Sequence, residues 1–329
     1  MIVGEALAAW LDSKSERMGT ASAMRGLAET VAAIPGLVRL RQGVRTAEEG
    51  GASAVLALAR SFLEDDGSIR TLVAAAIAGA AADPFCRPPF RASRNAVQDG
   101  LLLFSDPVLT IQAAVLEADR FAIQRTTGEP PPPIAFSGQR SLFRFVAARG
   151  ARLSIWSAPA IGADFTASAG TRCRLSGTRE LADGDIVEFD GRCESFVVES
   201  VASDLVYLFA STPLGSAPVG VEYDAASLEP VAASSTDEAG SRSQMMLALL
   251  RTMGRADAAP LFAEALSTPH FHTRWQAMRE FLALDAGLAL PHLERMAAAD
   301  PHPEVRAAAA ATLEHFFPAR ILPLAPCPC

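Results

Sequence analysis

Apolar residues recur at steps of three and four positions through the first quarter of the chain, which is the pattern of amphipathic helices. The stretches GEALAAWLDSKSERM and TASAMRGLAETVAAI show it most clearly. Pro35 and the glycines after it interrupt the pattern, and two more helical stretches follow at about 52–64 and 68–82. The spacing therefore predicts a helical region over residues 1–82.

The helical periodicity is lost over residues 83–135, which we interpret as a transitional segment. DPFCRPPFR contains three prolines and cannot lie inside a regular helix. A short apolar segment, a turn at Asp106-Pro107 and a helix are expected after it. The run Pro130–Pro133 predicts a stiff polyproline connector, with a ligand for an SH3-like partner as the alternative.

Short apolar runs separated by turn residues indicate β-strands between residues 136 and 223. The runs are SLFRFVAA, ARLSIWSA, TRCRLSG, DIVEFDGRCESFVVES, DLVYLFAS and PVGVEY. Asp190-Gly191 predicts a two-residue hairpin turn with positive φ values. The candidates for the strand core are Phe189, Phe196, Val198, Val206 and Leu208. We therefore expect an antiparallel β-barrel or sandwich here, followed by a linker at 224–237.

Three helical segments align without gaps at a step of 32 residues between 238 and 318. They are GSRSQMMLALLRTM, HTRWQAMREFLALD and EVRAAAAATLEHFF, and each places an arginine at the same position. The aligned core candidates are Met245, Ala277, Ala309, Leu249, Phe281 and Leu313. Helix pairs repeated at this period predict an α-solenoid, because one pair cannot bury its own apolar face.

The third of these segments resembles the HEAT-repeat family. The residues that carry the resemblance are Asp300, Pro301, Val305, Arg306 and Ala309, within AADPHPEVRAAAAATL. In that family the aspartate and the arginine pair between successive units, which implies a structural role for Asp300 and Arg306. The earlier units depart from the pattern, since Thr236 and Thr268 stand where the aspartate would be. The fold class is therefore multidomain α+β: a helical N-terminal region, a central antiparallel β-barrel or sandwich, and a C-terminal HEAT-like α-solenoid.

Histidine follows proline twice at the repeat step, at His270 and His302. Equivalent residues of stacked helix pairs are about 10 Å apart, which is too far for both to bind one metal ion. His270 and His272 form a local pair, and we weigh a metal site there against a solvated turn between repeats. The turn is favoured because a metal site needs three or four ligands, and no neighbouring Asp, Glu or Cys must lie close to the pair.

The chain ends in ILPLAPCPC, which we treat as a Pro- and Cys-rich tail over residues 319–329. Cys327 and Cys329 are a second weak candidate for binding a soft metal ion. The five cysteines are an odd number at wide spacing, which does not suggest a disulfide framework. We expect an extended end, and no metal or cofactor.

The stretch RELADGDIVEFDGRCESFVVESVASDLVYLF resembles a cupin-type barrel, over about residues 136–223. The resemblance implies a metal held by histidines and a carboxylate on the strands. All five histidines lie after residue 265, however, so that metal site is not expected here. Binding of a substrate without a metal stays open. The chain also contains no phosphate loop, dinucleotide fingerprint, GxSxG or HExxH motif.

Charge and hydropathy limit the classes of partner. A formal net charge of −8 argues against nucleic acid. The longest apolar run of the first half, at 71–82, is about half of the roughly 20 residues that cross a membrane. No secretory signal is seen at the N-terminus, so we expect a cytoplasmic protein.

From these observations we predict that the protein is a non-catalytic scaffold or adaptor, which binds a protein or peptide through the solenoid and the β-domain. The alternative is an enzyme, or a subunit that works with one, whose cupin-like pocket acts on a peptide or small molecule. The candidate partner-binding residues are Arg251, Arg274, Trp275 and Arg279, because arginine and tryptophan are favoured at interfaces. For the aligned Arg274, a bridge between repeats is the competing role.

Overall fold

The computed structural model describes residues 2–126, 131–162, 165–166 and 172–317. The chain divides into two compact units, and each is described by itself. Unit 1 consists of Met1–Ile134, Gln139–Ser157 and Arg174–Ser216, and unit 2 of Ala135–Gly138, Ala158–Cys173 and Ala217–Cys329. Among the described residues, no helix combines the length and the hydropathy that crossing a membrane requires.

Five helices open unit 1, as the periodicity predicts. They are α1 (Ile2–Asp12), α2 (Lys14–Ala32), α3 (Pro35–Glu49), α4 (Gly51–Leu63) and α5 (Asp66–Ala82). Local chemistry places the boundaries. The side chain of Ser13 accepts a hydrogen bond from the N–H of Glu16 and caps α2, and Asp65 caps α5 in the same way. Pro35 begins α3, where its missing N–H costs nothing.

Two antiparallel sheets and one helix form the rest of unit 1. These elements are β1 (Arg91–Arg94), β2 (Gln98–Asp106), β3 (Leu109–Leu116), α6 (Ala118–Thr126), β5 (Arg140–Ala147), β6 (Arg152–Ser157), β7 (Arg174–Glu180), β8 (Ile186–Asp190), β9 (Glu194–Ser200) and β10 (Leu205–Thr212). One sheet has six strands in the order β1-β2-β3-β10-β5-β8, and the other has three in the order β7-β6-β9. Within the described residues the sheets do not close into a barrel.

Unit 1 has two apolar cores. In the first, buried residues of the N-terminal helices, such as Leu37 and Leu63, pack with Ile111 and Leu142 of the six-stranded sheet. The second lies where the two sheets of this unit meet, and aromatic rings pack together in it. The ring of Phe143 contacts five others there, at centroid distances of 5.0–6.2 Å: Phe145, Phe189, Phe196, Tyr207 and Phe209. Rings at these distances stabilise one another beyond the area that they bury.

The structure corrects two expectations about the strands of unit 1. The segment 83–135 is not merely transitional, because it contains β1, β2 and β3, and Pro107 lies in the turn between the last two. Asp190-Gly191 is not a two-residue hairpin turn. The turn has three residues, it joins β8 and β9 of different sheets, and Gly191 is not among the positive-φ glycines of the described chain.

Unit 2 combines a small sheet with the C-terminal helices. Its elements are β4 (Ile134–Phe136), β11 (Val219–Tyr223), β12 (Pro230–Ser235), α7 (Glu238–Thr252), α8 (Ala259–Ala265), α9 (Phe271–Leu284), α10 (Ala286–Ala299) and α11 (Pro303–Phe316). The strand order is β12-β11-β4. The expected linker at 224–237 contains regular structure, because six of its residues form β12. The α+β class, with helices at both ends and antiparallel sheets between them, is confirmed.

Candidate binding surfaces on the C-terminal helices

Two arginines 32 residues apart, Arg274 and Arg306, donate hydrogen bonds to backbone carbonyls of the turns between the helix pairs. Nη1 of Arg274 donates to the carbonyls of Thr268 and Pro269, at 3.0 and 2.9 Å. Arg306 repeats this arrangement, since its Nη1 donates to the carbonyl of Asp300 at 2.6 Å and to that of the next residue at 3.2 Å. The same side chain thus satisfies two carbonyls at the same place in successive units, which explains the period.

A buried ion pair links the two units of the repeat. Arg274 donates from Nε and Nη2 to the carboxylate of Asp300, at 2.8 and 2.7 Å, and the side chains are only 7% and 3% exposed. Burial by itself would raise the pKa of Asp300, but the bonds from Arg274 and from the N–H of His302 outweigh it and hold that pKa below its usual value. Asp300 therefore pairs with the arginine of the preceding unit, while Arg306 bonds the backbone of its own turn.

The first unit departs from this geometry. The repeat register places Met245 and Leu249 in the core, but Met245 is 65% and Leu249 is 50% exposed, whereas their equivalents Ala277 and Phe281 are buried. Our prediction that these two residues are core residues is wrong. The buried residues of helix α7 are Gly240 and Leu247 instead. The helix that follows α7 is also shorter than its equivalent, since α8 has seven residues where α10 has fourteen.

The result is an uncovered apolar stripe, which we call the α7 apolar face. It consists of Met245, Met246, Leu249 and Met253, all at least half exposed. These positions fall on one side of a helix, because they are spaced by one, three and four residues. Reasoning from sequence missed this face, since an apolar stripe at helical spacing normally lies in a core.

Three of the histidines, His270, His272 and His302, lie at the beginnings of α9 and α11. His302 is buried, and its ring stacks on that of Phe271 at a centroid distance of 3.9 Å. The rings of His270 and His272 are 5.8 Å apart, and Nε2 of His270 is 3.8 Å from the carboxylate of Asp237. Burial, followed by the neighbouring His270, lowers the pKa of His272 to about 4, so its imidazole is neutral at neutral pH.

The candidate metal ligands are not brought together with further ligands. No group of three His, Cys, Asp or Glu side chains among the described residues has the geometry to hold a metal ion. His270 and His272 stay a pair beside a turn. Cys327 and Cys329 lie outside the described residues.

The four candidate partner-binding residues are placed differently from one another. Arg274 is buried in its ion pair, with only 7% of its side chain exposed. Arg251 pairs with Glu280, and Trp275 packs partly buried against the helical core. Arg279 is exposed, with one long hydrogen bond of 3.4 Å to a neighbouring side chain.

A groove of about 500 Å³ lies between α8 and α10. It is lined by Ala263, Leu266, Ser267, Thr268, Pro269, Arg274, His292, Arg295, Met296, Ala299, Asp300 and Pro301. The buried Arg274–Asp300 pair forms part of its wall. The groove shares no residue with the α7 apolar face, so unit 2 offers two separate surfaces.

The chain's similarity to a known family follows the repeat. Residues 227–314 match the HEAT repeats family. This span contains α7 to α10 and nearly all of α11, together with the ion pair and both surfaces. The resemblance of the C-terminal helices to HEAT repeats is therefore confirmed. No curated protein matches the chain.

Solved structures that resemble the chain are cupin-like barrels, as the strand pattern suggests. They include ectoine synthase from P. lautus, at 8% identity over 37% of this chain and 68% of that one, with a TM-score of 0.24. An RmlC-like cupin from Methanocaldococcus jannaschii has 12% identity over 38% and 88%, with a TM-score of 0.23. A cupin 2 conserved barrel protein from Rhodopseudomonas palustris has 11% identity over 40% and 76%, with a TM-score of 0.24. Similarities this low carry no information about what this chain binds.

Proposed function

We propose that this chain is a non-catalytic scaffold that binds a helical segment of a partner protein on the α7 apolar face. The observation that carries the proposal is the exposure of Met245 and Leu249 at positions where the next repeat is buried. In that next unit, the equivalent Ala277 and Phe281 are covered by neighbouring helices. A partner helix on α7 would supply the layer that the short α8 does not.

The chemistry of the face suits an amphipathic helix. The stripe from Met245 to Met253 runs for about 12 Å along the helix, at 1.5 Å per residue. A partner helix would place apolar residues on it at steps of three and four. Three of the four side chains are methionines, whose flexible thioethers adapt to more than one partner surface. Exposed apolar side chains gathered on one helix are typical of interaction sites.

The alternative of an enzyme pocket between the sheets of unit 1 has less support. Six aromatic rings occupy the place where those sheets meet, with Phe143 at their centre. The cupin family binds its metal through histidines on the strands, and all five histidines of this chain belong to unit 2. We propose instead that the sheets of unit 1 form a structural domain of the scaffold.

The test compares what two variants of the chain capture from cell extract. Met245→Glu/Leu249→Glu places charges on the α7 apolar face. Met18→Glu changes a side chain that is equally exposed, at 63%, but lies in unit 1. Both changes are on the surface, so circular dichroism should show folded protein for each.

We expect the wild type and Met18→Glu to capture the same partner in stoichiometric amount, and the double variant to lose it. If the double variant captures every protein that the wild type captures, the α7 apolar face is not the binding surface and the proposal fails.

A further inference from the structure

The groove between α8 and α10 is a second surface, and its charges are unusual for this chain. The chain as a whole carries a net charge of −8. The only carboxylate that lines the groove is Asp300, and its charge is matched by the bidentate bonds from Arg274. The two charges therefore cancel locally, and the pair contributes little electrostatic potential to the groove.

The remaining cation of the lining is free to meet a ligand. Arg295 is exposed and has no ion-pair partner among the described residues. His292 lies three residues before it on α10, which places both side chains on the same side of the helix. His292 adds hydrogen-bonding capacity beside the guanidinium.

A second arginine lies close to the same groove. Arg306 bonds the carbonyl of Pro301, which is part of the lining, and it has no carboxylate partner in the described part of the chain. Arg295 and Arg306 thus give this side of unit 2 a positive charge that the Arg274–Asp300 pair does not reduce. A surface with a net positive charge concentrates ligands of the opposite sign.

The walls of the groove set the shape of the ligand. Ala263, Leu266, Met296 and Ala299 supply apolar surface, and the hydroxyls of Ser267 and Thr268 supply hydrogen-bonding groups. The Oγ1 of Thr268 is buried and has no hydrogen-bond partner. A volume of about 500 Å³ falls within the usual range for sites that hold a small ligand or a short peptide segment.

We propose that this groove binds a short acidic segment of a partner protein, with its carboxylates on Arg295 and Arg306 and small apolar side chains against the walls. This inference goes beyond the proposed function, because the groove and the α7 apolar face share no residue. Loss of one surface would therefore leave the other intact.

Fluorescence anisotropy with defined peptides tests the proposal on the full chain. The probe is a labelled tetra-glutamate peptide, and a tetra-glutamine peptide with the same label is its neutral control. Arg295→Glu reverses the charge in the groove. Arg279→Glu is the matched control, because Arg279 is an exposed arginine of the neighbouring α9 that does not line the groove.

We expect the wild type and Arg279→Glu to bind tetra-glutamate about tenfold more tightly than tetra-glutamine, with an affinity that falls as salt is added. Arg295→Glu should lose this preference. Equal affinity for the two peptides would overturn the proposal, as would an equal loss in both variants. A wild-type dimer that Arg295→Glu dissociates would assign the groove to a second copy of the chain instead.

Discussion

Removing Arg274 should lower the free energy of unfolding of the C-terminal helices more than the same change at Arg279, the other arginine of α9. Arg274→Met keeps an unbranched apolar stem in place of the aliphatic part of the side chain and deletes the guanidinium with its charge. It leaves Asp300, whose side chain is 3% exposed, without its bidentate partner. Breaking a buried pair by removing one partner costs about 3–5 kcal/mol, because the remaining charge stays desolvated. Two turn carbonyls lose their donor as well.

A double-mutant cycle separates the ion pair from general packing. Asp300→Leu should cost a similar amount, because it leaves Arg274 buried and unpaired. Arg274→Met/Asp300→Leu removes both charges and should cost far less than the sum of the single changes. Arg279→Met is the control on the same helix, and should cost less than about 0.5 kcal/mol because Arg279 is exposed.

Urea unfolding followed by tryptophan fluorescence measures these free energies. Trp275 is the only tryptophan of unit 2, so replacing Trp10 and Trp156 with phenylalanine leaves it as the reporter. The pH dependence has a defined sign. Folding lowers the pKa of Asp300 below 3.8, so the pair contributes fully above that pH and is lost as the pH falls through the folded value. The reasoning is refuted if Arg274→Met unfolds at the same urea concentration as the wild type. It is also refuted if the double variant loses as much free energy of unfolding as the two single variants together.

Two further changes test other parts of unit 2. Folding lowers the pKa of His272 from 6.5 to about 4, so the unfolded chain binds its proton first, and stability should fall as the pH drops from 6.5 towards 4. Urea midpoints of His272→Gln that fall just as steeply over this range would contradict this. Gly138 has φ +73°, and a Cβ there would lie 2.7 Å from the carbonyl oxygen of Val219, whereas Gly254, at φ +65°, faces open space. Gly254→Ala should therefore lower the free energy of unfolding by about 1–2 kcal/mol, the cost of the positive φ alone. Gly138→Ala should lower it by about 1–3 kcal/mol more, because of the close contact with Val219. Equal melting temperatures of the two variants would show that this contact is unimportant.

The sequence predicts the repeat well because its signals are local and recur. Pro269 and Pro301 interrupt the helices at the repeat step, and Arg274 and Arg306 bond the turns beside them. A turn that needs the same donor at the same distance leaves the same residue in the sequence. The family resemblance also implied a pairing role for Asp300, and the structure identifies Arg274 as its partner.

The parts that the sequence did not predict depend on contacts that are distant along the chain. The apolar stripe of α7 has the spacing of a core helix, and that spacing does not reveal that Met245 is exposed. Strand β2 contains the run LLLF, which does not alternate, because its pairing with β3 shifts register between Leu102 and Phe104, and Leu103 and Phe104 are both buried. Asp190 and Gly191 resemble a hairpin turn, but β8 and β9 pair with strands of different sheets.

The openness of the α7 apolar face is the claim on which the proposed function depends, and methionine-methyl NMR with a soluble nitroxide tests it directly. The nitroxide broadens the signals of methyl groups that it can reach. We predict that Met245, Met246 and Met253 broaden as strongly as the exposed Met18, while the buried Met278 stays sharp. If Met245 and Met246 stay as sharp as Met278, the face is covered within the chain itself, and a partner helix has no place to bind.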